Sequence, residues 1–479
     1  MMATQTGTTV TQGSAGQKKR ITMPHTLVII LGLIVIATAL TWIIPAGTFD
    51  RAKNAQGITV VNPTSFHYVE SKSINPLLIP DYIVKGFKST ASLIFFTLIC
   101  GAACEVVIAS GALQSLVGKM SKKYASRGII FIPLMTTLLA LICTSQSIER
   151  FIGFAPIMVM ITRAFGYDSI VGAAIMIFGG GIGFSTGTLN PSTTLLSQKI
   201  AELPLYSGIE YRFFSLFVFL IVSNVFLVRY ANKIKAHPEL SPMYELDLQY
   251  KAEENVDIDS FGELDTSKWL VLLGLVGTLI AIVIGGVKYK WGFDQNSAVF
   301  LVLAVISGIF ARQTPNEIAK NFVNGAKRLV GIALIIGSAR SVAGILTDGA
   351  ILDTVAYALS QALSILPQAF RGIAMFISNI IINLFITSGS GQAALVMPIF
   401  TPLSDIVGIT RQTAILSFNF GDGFCNYILP YSTTLMGIIG NSRVPYDCWM
   451  RFMWKMFAVW IVTGSALVFI AQMIHLGPM

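Results

Sequence analysis

Gly183-Phe184 followed by Ser192-Thr193-Thr194-Leu195 recurs as Gly423-Phe424 followed by Ser432-Thr433-Thr434-Leu435, at a constant offset of 240 residues. The flanking sequence falls into register around that anchor, within about three residues of the same offset. Thr144-Ser145-Gln146-Ser147 answers Thr387-Ser388-Gly389-Ser390; Val84, Gly86 and Lys88 answer Val323, Gly325 and Lys327; Gly111-Ala112 answers Gly349-Ala350. The period is far longer than the roughly 20–50 residues of a soluble solenoid. A long duplicated unit in a strongly apolar chain is the pattern of a secondary transporter, whose substrate site lies between two repeats near the bilayer midplane.

Composition places that repeat in a membrane. The 479 residues are 54% hydrophobic and 12% charged, with mean hydropathy +0.70, against about 25% charged in an ordinary globular domain. Charged groups are excluded from hydrocarbon, so a multi-spanning chain keeps few of them. The formal charge of +9 needs no nucleic-acid partner, because Lys and Arg gather in short loops as positive-inside loops do. Cys100, Cys104, Cys143, Cys425 and Cys448 lie in or beside apolar runs without metal-ligand or disulfide spacing, and read as reduced, buried small residues.

Length sorts the apolar runs, since a full span needs about 20 residues and runs of about 10–14 suit re-entrant segments. Spans are expected at 27–44, 91–109, a glycine-interrupted 170–200 and 213–230, then at 269–287, 298–310, 329–346, a broken 413–440 and 456–474. Two pairs of short arms differ. Residues 129–142 and 151–161 meet at the polar tip 144–150, and 373–386 and 393–403 meet at 387–392. The predicted fold is therefore an all-α polytopic membrane protein: an inverted repeat with about nine spans, two opposed re-entrant helical hairpins and two broken helices. An odd number of crossings separates equivalent spans, which forces the second repeat upside down.

The expected organisation is a cytoplasmic tail 1–24, a first repeat 25–230, a solvated cytoplasmic linker 231–267, an extra span 268–290 and a second repeat 291–479. The charge bias puts the N-terminus in the cytoplasm and the C-terminus outside; the expected location is a bacterial cytoplasmic (inner) membrane. Segments 77–88 and 316–327 carry mixed charge on apolar faces and are expected along the interface.

Unwound backbone at membrane depth is tolerated only inside protein or along a polar cavity. The tips 144–150 and 387–392 and the breaks 185–191 and 422–431 are such places, rich in Gly, Ser, Thr and Asn. Candidate substrate-binding residues are Ser145, Ser147, Glu149, Arg150, Asn190, Ser388, Gly389, Ser390, Gln392, Asp422 and Asn426. Candidate ion ligands are Ser145, Thr186, Asn190, Ser388, Asp422 and Asn426. Hydroxyls and carbonyls suit Na+, Glu149 or Asp422 would serve H+, and exchange would need no coupling ion. Arg150 can hold a carboxylate bidentately. Glu105 and Arg340, in equivalent spans of opposite repeats, are expected to pair with each other. No nucleophile–base pair, histidine cluster or phosphate loop is visible, so no enzyme and no cofactor are expected.

Thr387-Ser388-Gly389-Ser390-Gly391-Gln392-Ala393-Ala394, Met397-Pro398, Phe420-Gly421-Asp422-Gly423-Phe424, Met23-Pro24 and Trp42-Ile43-Ile44-Pro45-Ala46-Gly47 resemble the C4-dicarboxylate anaerobic carrier (DcuC) family, in its YfcC-type branch. The resemblance runs over nearly the whole chain. It implies membership of the ion transporter superfamily, a homodimer, and an elevator motion of a transport domain against a scaffold. It also implies either dicarboxylate transport or arginine–ornithine exchange. Antiporter-like relatives carry two adjacent acids at the first tip, where this chain has Glu149-Arg150. An Arg facing the cavity would repel a cationic substrate by about 4 kcal/mol at roughly 4 Å and effective dielectric about 20. The departure therefore predicts an anionic or zwitterionic substrate bearing a carboxylate.

Overall fold

The computed structural model describes residues 26–53, 59–62, 64–113, 115–116, 128–254, 264–289 and 291–477. The predicted tail 1–24 and the most acidic part of the linker lie outside them. The described residues are 79% helical, as lipid demands of backbone that has no water to bond.

The first repeat opens with α1 (Thr26–Ile43), followed by four short strands, β1 (Gly47–Thr48), β2 (Arg51–Lys53), β3 (Thr59–Val61) and β4 (His67–Tyr68). They form two small antiparallel pairs, β1 with β4 and β2 with β3. Next come α2 (Ile79–Ser89), α3 (Ala91–Ala109), α4 (Gly128–Cys143), a 3-10 turn over Ile148–Phe154, α5 (Ala155–Ala164), α6 (Ser169–Ser185), a π-type turn over Pro191–Leu195, α7 (Leu196–Ile200) and α8 (Ile209–Ala236). Then follow α9 (Tyr244–Glu254) and α10 (Thr266–Lys288). The second repeat comprises α11 (Phe293–Phe310), α12 (Pro315–Asp348), α13 (Leu352–Ile365), α14 (Gln368–Asn383), α15 (Gly389–Val407), α16 (Arg411–Cys425), α17 (Thr433–Asn441) and α18 (Tyr446–Met473).

Among the described residues, seven helices are long and apolar enough to cross a membrane: α1, α3, α8, α10, α11, α12 and α18. The two interrupted units α6–α7 and α16–α17 complete the nine crossings. The arms α4 and α5 form the first hairpin and α14 and α15 the second. Both return arms end on a left-handed glycine, Gly166 at φ +83° and Gly408 at φ +74°, a backbone state open to glycine because it has no Cβ. A capping residue then starts each broken helix: Asp168 accepts from Val171 N and Thr410 from Thr413 N.

The hairpins enter from opposite ends, and α8 measures this. Near one end Arg212 Nη2 donates to Gln412 Oε1 at 2.9 Å, just beyond the return arm of the second hairpin. Toward the other end Tyr230 OH donates to Asp168 Oδ2 at 2.6 Å, just beyond the return arm of the first. The eighteen residue steps from Arg212 to Tyr230 span about 27 Å of helix, so the two hairpin bases lie on opposite faces of the molecule.

The repeats also pack reciprocally. A Cβ on Gly86 of α2 would stand 2.4 Å from the Gly337 carbonyl oxygen of α12, and one on the equivalent Gly325 would stand 2.6 Å from the Gly101 carbonyl oxygen of α3. Each conserved-offset glycine thus lets backbone of one repeat touch backbone of the other.

Several expectations change. Glu105 pairs with Arg328 Nη1 at 2.7 Å and not with Arg340, because Arg328 lies beside the Gly325–Gly101 crossing that brings α12 onto Glu105. Segment 316–327 runs unbroken into its span as the 34-residue α12, whereas α2 and α3 part at Thr90. The linker is docked over its described part: Met243 is fully buried and Asp247 8% exposed. Asp247 bonds Arg163 Nη2 at 2.8 Å, Ser169 N at 3.0 Å and the Ser169 hydroxyl, which fastens α9 onto the base of the first hairpin. Beside it, burial raises the Asp168 carboxyl above its ordinary value, although Ser241, Tyr230 and Val171 donate to it and pull it back. The strands and α13 were not foreseen. Phe66 stacks on Tyr357 at 4.1 Å and Arg51 pairs with Asp353 at 2.9 Å, tying the strand segment to α13.

Candidate functional site

The broken helices cross at their interruptions. A Cβ on Gly181 would meet the Tyr427 ring at 2.7 Å, one on Gly187 would meet Asn419 Nδ2 at 2.2 Å, and one on Gly423 would meet Ser185 Oγ at 2.1 Å. Nothing larger than hydrogen fits at such approaches. Gly187 also takes φ +62°, which favours glycine at this turn. Asn190 stabilises the restart: its Oδ1 accepts from Ser192 N at 2.9 Å and Thr193 N at 3.2 Å, and Pro191 follows at the first helical position, where its missing N–H is harmless. Ser432 caps α17 in the same way by accepting from Leu435 N.

Each hairpin tip is seated on the half-helix that follows the break in the other repeat. At the first tip Glu149 Oε1 accepts from Thr434 Oγ1 in the first turn of α17, so a carboxylate lies against the positive end of a helix. At the second tip a Cβ on Gly389 would stand 2.7 Å from Thr193 Cγ2 and 2.9 Å from Asp422 Oδ2. The two contacts join corresponding segments of the repeats, a hairpin tip with the helix restart of the other repeat, through different residues.

A polar chain backs the second tip. Gln392 Nε2 donates to Asn379 O at 3.0 Å and Oδ1 at 3.2 Å. Asn383 Nδ2 is shared between Gln392 Oε1 at 3.2 Å and Asp422 Oδ1 at 3.0 Å. Asp422 is fully buried, and among the described residues its Oδ2 has no hydrogen-bond partner, as is true of Ser185 Oγ, Thr193 Oγ1, Asn383 Oδ1, Asn419 Oδ1 and Asn426 Oδ1. Buried polar atoms are satisfied in the great majority of cases, so an orphan needs a reason. Here several oxygens around one carboxylate share the orphaned state. The donor set is all oxygen, which suits a hard cation or a proton.

The candidates separate into groups. Gly389, Gln392, Asp422 and Asn426 gather at the crossing, with Asn426 Nδ2 donating to the Asp422 carbonyl at 2.8 Å. Asn190 spends its oxygen on the cap, Thr186 donates to Ile182 O at 2.9 Å, and Ser145 donates to Ile142 O at 3.3 Å within its own helix end. Ser388 caps Gly391 N at 3.4 Å, and Ser390 is exposed. Ser147 begins the 3-10 turn without a side-chain cap. Arg150 is directed elsewhere: its Nη1 donates to the Trp291 carbonyl, and the guanidinium lies against Gly286 of α10. The charge-repulsion reading of the first tip therefore loses its geometric basis.

Ser185, Thr193, Asn379, Asn383 and Asn419 complete the cluster and were missed. Asn379 and Asn383 are four residues apart in a mostly apolar arm; Asn419, Asp422 and Asn426 follow i, i+3, i+7 spacing. That periodicity puts each set on one helix face, a signal available before any coordinates.

A cavity of about 630 Å³ lies beside the second tip. Thr387 and Ser388 of the tip, Lys85 of α2, Arg340 of α12, and Arg51 and Asp353 from the strand–α13 junction are in its wall.

Opposed hairpins and crossed, interrupted spans in an inverted repeat define a membrane transporter. The profile of the C4-dicarboxylate anaerobic carrier family matches residues 23–473, and the chain belongs to that family. Among curated relatives, the putative basic amino acid antiporter YfcC of Escherichia coli K12 is 28% identical, covering 95% of this chain and 97% of that protein. An uncharacterised protein of Haemophilus influenzae is 25% identical over 94% and 97%. Among solved structures, Neisseria gonorrhoeae MtrF, described as one of a class of antimetabolite efflux pumps, aligns with TM-score 0.42 and 16% identity over 95% of this chain and 96% of that one. The Alcanivorax borkumensis YdaH transporter aligns with TM-score 0.42 and 14% identity over 95% and 100%.

Proposed function

We propose that this protein is a secondary active transporter, a symporter or exchanger, that moves a small carboxylate-bearing metabolite, an amino acid or organic acid, across the cytoplasmic membrane. The observation that carries the reading is the crossing of the two broken helices, with a hairpin tip from each repeat seated on the other and an uncommitted carboxylate oxygen, Asp422 Oδ2, in their midst. Such a centre can open to either side only if the hairpins move relative to their surroundings.

The packing supports an elevator division. Helices α1, α2, α3, α10, α11 and α12 pack chiefly among themselves, and the hairpins pack on α6, α8, α16 and α18. The first set would be the scaffold, contributing the contact surface of a homodimer embedded in lipid, and the second would carry the substrate. The N-terminus would be cytoplasmic and the C-terminus outside. Asp422, Ser185, Thr193 and Asn419 would hold the coupling ion, with Na+ bound by their oxygens or a proton by the carboxylate; an exchanger would use neither.

A second reading, basic amino acid exchange of the arginine–ornithine type, is favoured by the description of the Escherichia coli relative and by the orientation of Arg150. Arg150 contacts the α10–α11 connection and puts no positive charge at the crossing. Proteoliposome uptake of labelled arginine, glutamate and succinate separates the two when run against Na+ gradients, pH gradients and preloaded counter-substrate. The carrier reading expects saturable accumulation of at least one of them, dependent on a gradient or on counter-substrate. Single-channel conductance, or chemical conversion without translocation, would defeat it.

A further inference from the structure

We infer that Arg340 is the residue that grips the carboxylate of the transported substrate, in the cavity between α2, α12 and the second hairpin tip. The inference rests on the carrier reading and supplies the substrate contact that reading leaves open.

The charges in the cavity wall are almost all committed. Arg51 Nη2 bonds both carboxylate oxygens of Asp353 at 2.9 Å. Lys85 lies 4.7 Å from the centre of the Tyr82 ring, and Tyr82 OH donates to Asp348 Oδ2 at 2.9 Å. Lys85 has that ring contact and no ion pair, whereas Arg340, among the described residues, makes neither a hydrogen bond, an ion pair nor a ring contact. It stands eight residues before the end of α12, about 12 Å along the helix, inside a span where a bare guanidinium is expensive unless it faces a cavity or a partner. It faces the cavity.

The geometry selects the ligand chemistry. A guanidinium presents a planar fork that matches a carboxylate bidentately. Thr387 and Ser388 of the tip line the same cavity, and their hydroxyls are donors for the same group. Gly389 follows immediately, and a Cβ there would be 2.9 Å from Asp422 Oδ2. A carboxylate between Arg340 and the tip would join a residue of the proposed scaffold to the moving hairpin, one residue away from the crossing. A volume of about 630 Å³ accommodates an amino acid or small organic acid, being within the roughly 300–1,000 Å³ of ligand pockets. Arg150, the other arginine candidate, donates to Trp291 instead.

The test measures equilibrium binding to the purified full-length protein in detergent, with labelled L-arginine, L-glutamate and succinate, and with agmatine, which is arginine lacking its carboxylate. The proposal expects at least one carboxylate to bind. It expects Arg340→Gln to raise that Kd about 10- to 100-fold, as loss of a charged hydrogen-bonded contact does, and Arg340→Lys to recover part of the loss. Agmatine should bind at least 10-fold more weakly than arginine if arginine is the ligand. Lys320→Gln, twenty residues earlier on the same helix and exposed, should bind as wild type. An unchanged melting temperature certifies that Arg340→Gln is folded. A Kd within two-fold of wild type in Arg340→Gln, or no binding of any carboxylate, overturns the proposal. Binding that depends on Arg340 without flux in proteoliposomes supports the site and overturns the carrier reading instead.

Discussion

Asp422→Asn is expected to lower transport about 10- to 100-fold in proteoliposomes while leaving the fold intact. The substitution keeps the shape and the Oδ1 that accepts from Asn383 Nδ2 at 3.0 Å. It replaces the unpartnered Oδ2 with an amide and removes the charge. Contacts to a charged group contribute about 1.5–3 kcal/mol, and every 1.4 kcal/mol is about tenfold. Asp422→Ala is less informative, because it removes the Oδ1 contact to Asn383 Nδ2 together with the charge and leaves a void in a buried site. If Asp422 is instead a structural acid, the Asn variant will transport within two-fold of wild type, and the polar cluster is not the working centre.

The second large effect falls on stability. Gly183→Ala places a Cβ 2.3 Å from the Ala140 carbonyl oxygen and 2.9 Å from the Cys143 carbonyl carbon, both backbone atoms of α4 that no rotamer change can move aside. The first hairpin must shift away from α6. Overpacking of this kind costs about 1–3 kcal/mol and sometimes more. Gly32→Ala is the matched comparison, since its Cβ would meet nothing within 4 Å and alanine favours the helix by up to about 1 kcal/mol. Thermal unfolding in detergent should therefore show a lower midpoint for Gly183→Ala and an unchanged or higher one for Gly32→Ala. Equal midpoints would mean that α4 and α6 are not packed backbone to backbone.

Much of this was legible because membrane topology follows from length and repetition. The constant offset linking Gly183 with Gly423 located both breaks, and the short arms located both hairpins. The boundaries slipped where helical pattern continues through a functional residue: Asp422 looked like part of the break, yet it lies in α16, whose interruption starts at Asn426. Side-chain direction was not legible. Glu105 found Arg328 because the glycine crossing of Gly101 and Gly325 sets which turn of α12 it meets, and nothing in the sequence of either span reports that crossing. Arg150 turned toward the Trp291 carbonyl for a comparable reason, since its partner belongs to the connection after the extra span, outside both repeats. The linker misled by composition: its charged residues suggested solvation, while Asp247 is buried against Arg163 and Ser169.

The crossed arrangement of the repeats requires the second hairpin tip to meet the broken helix of the first repeat. Cysteines introduced as Thr193→Cys and Gly389→Cys test it directly, because the Cβ of position 389 would stand 2.7 Å from Thr193 Cγ2 and a disulfide requires Cβ atoms about 3.5–4.5 Å apart. The five native cysteines are buried and stay in place. With a protease site inserted in the acidic stretch 255–263, mild oxidation followed by cleavage should leave one band on a non-reducing gel and two after reduction. Two bands under both conditions would contradict the crossed arrangement of the repeats.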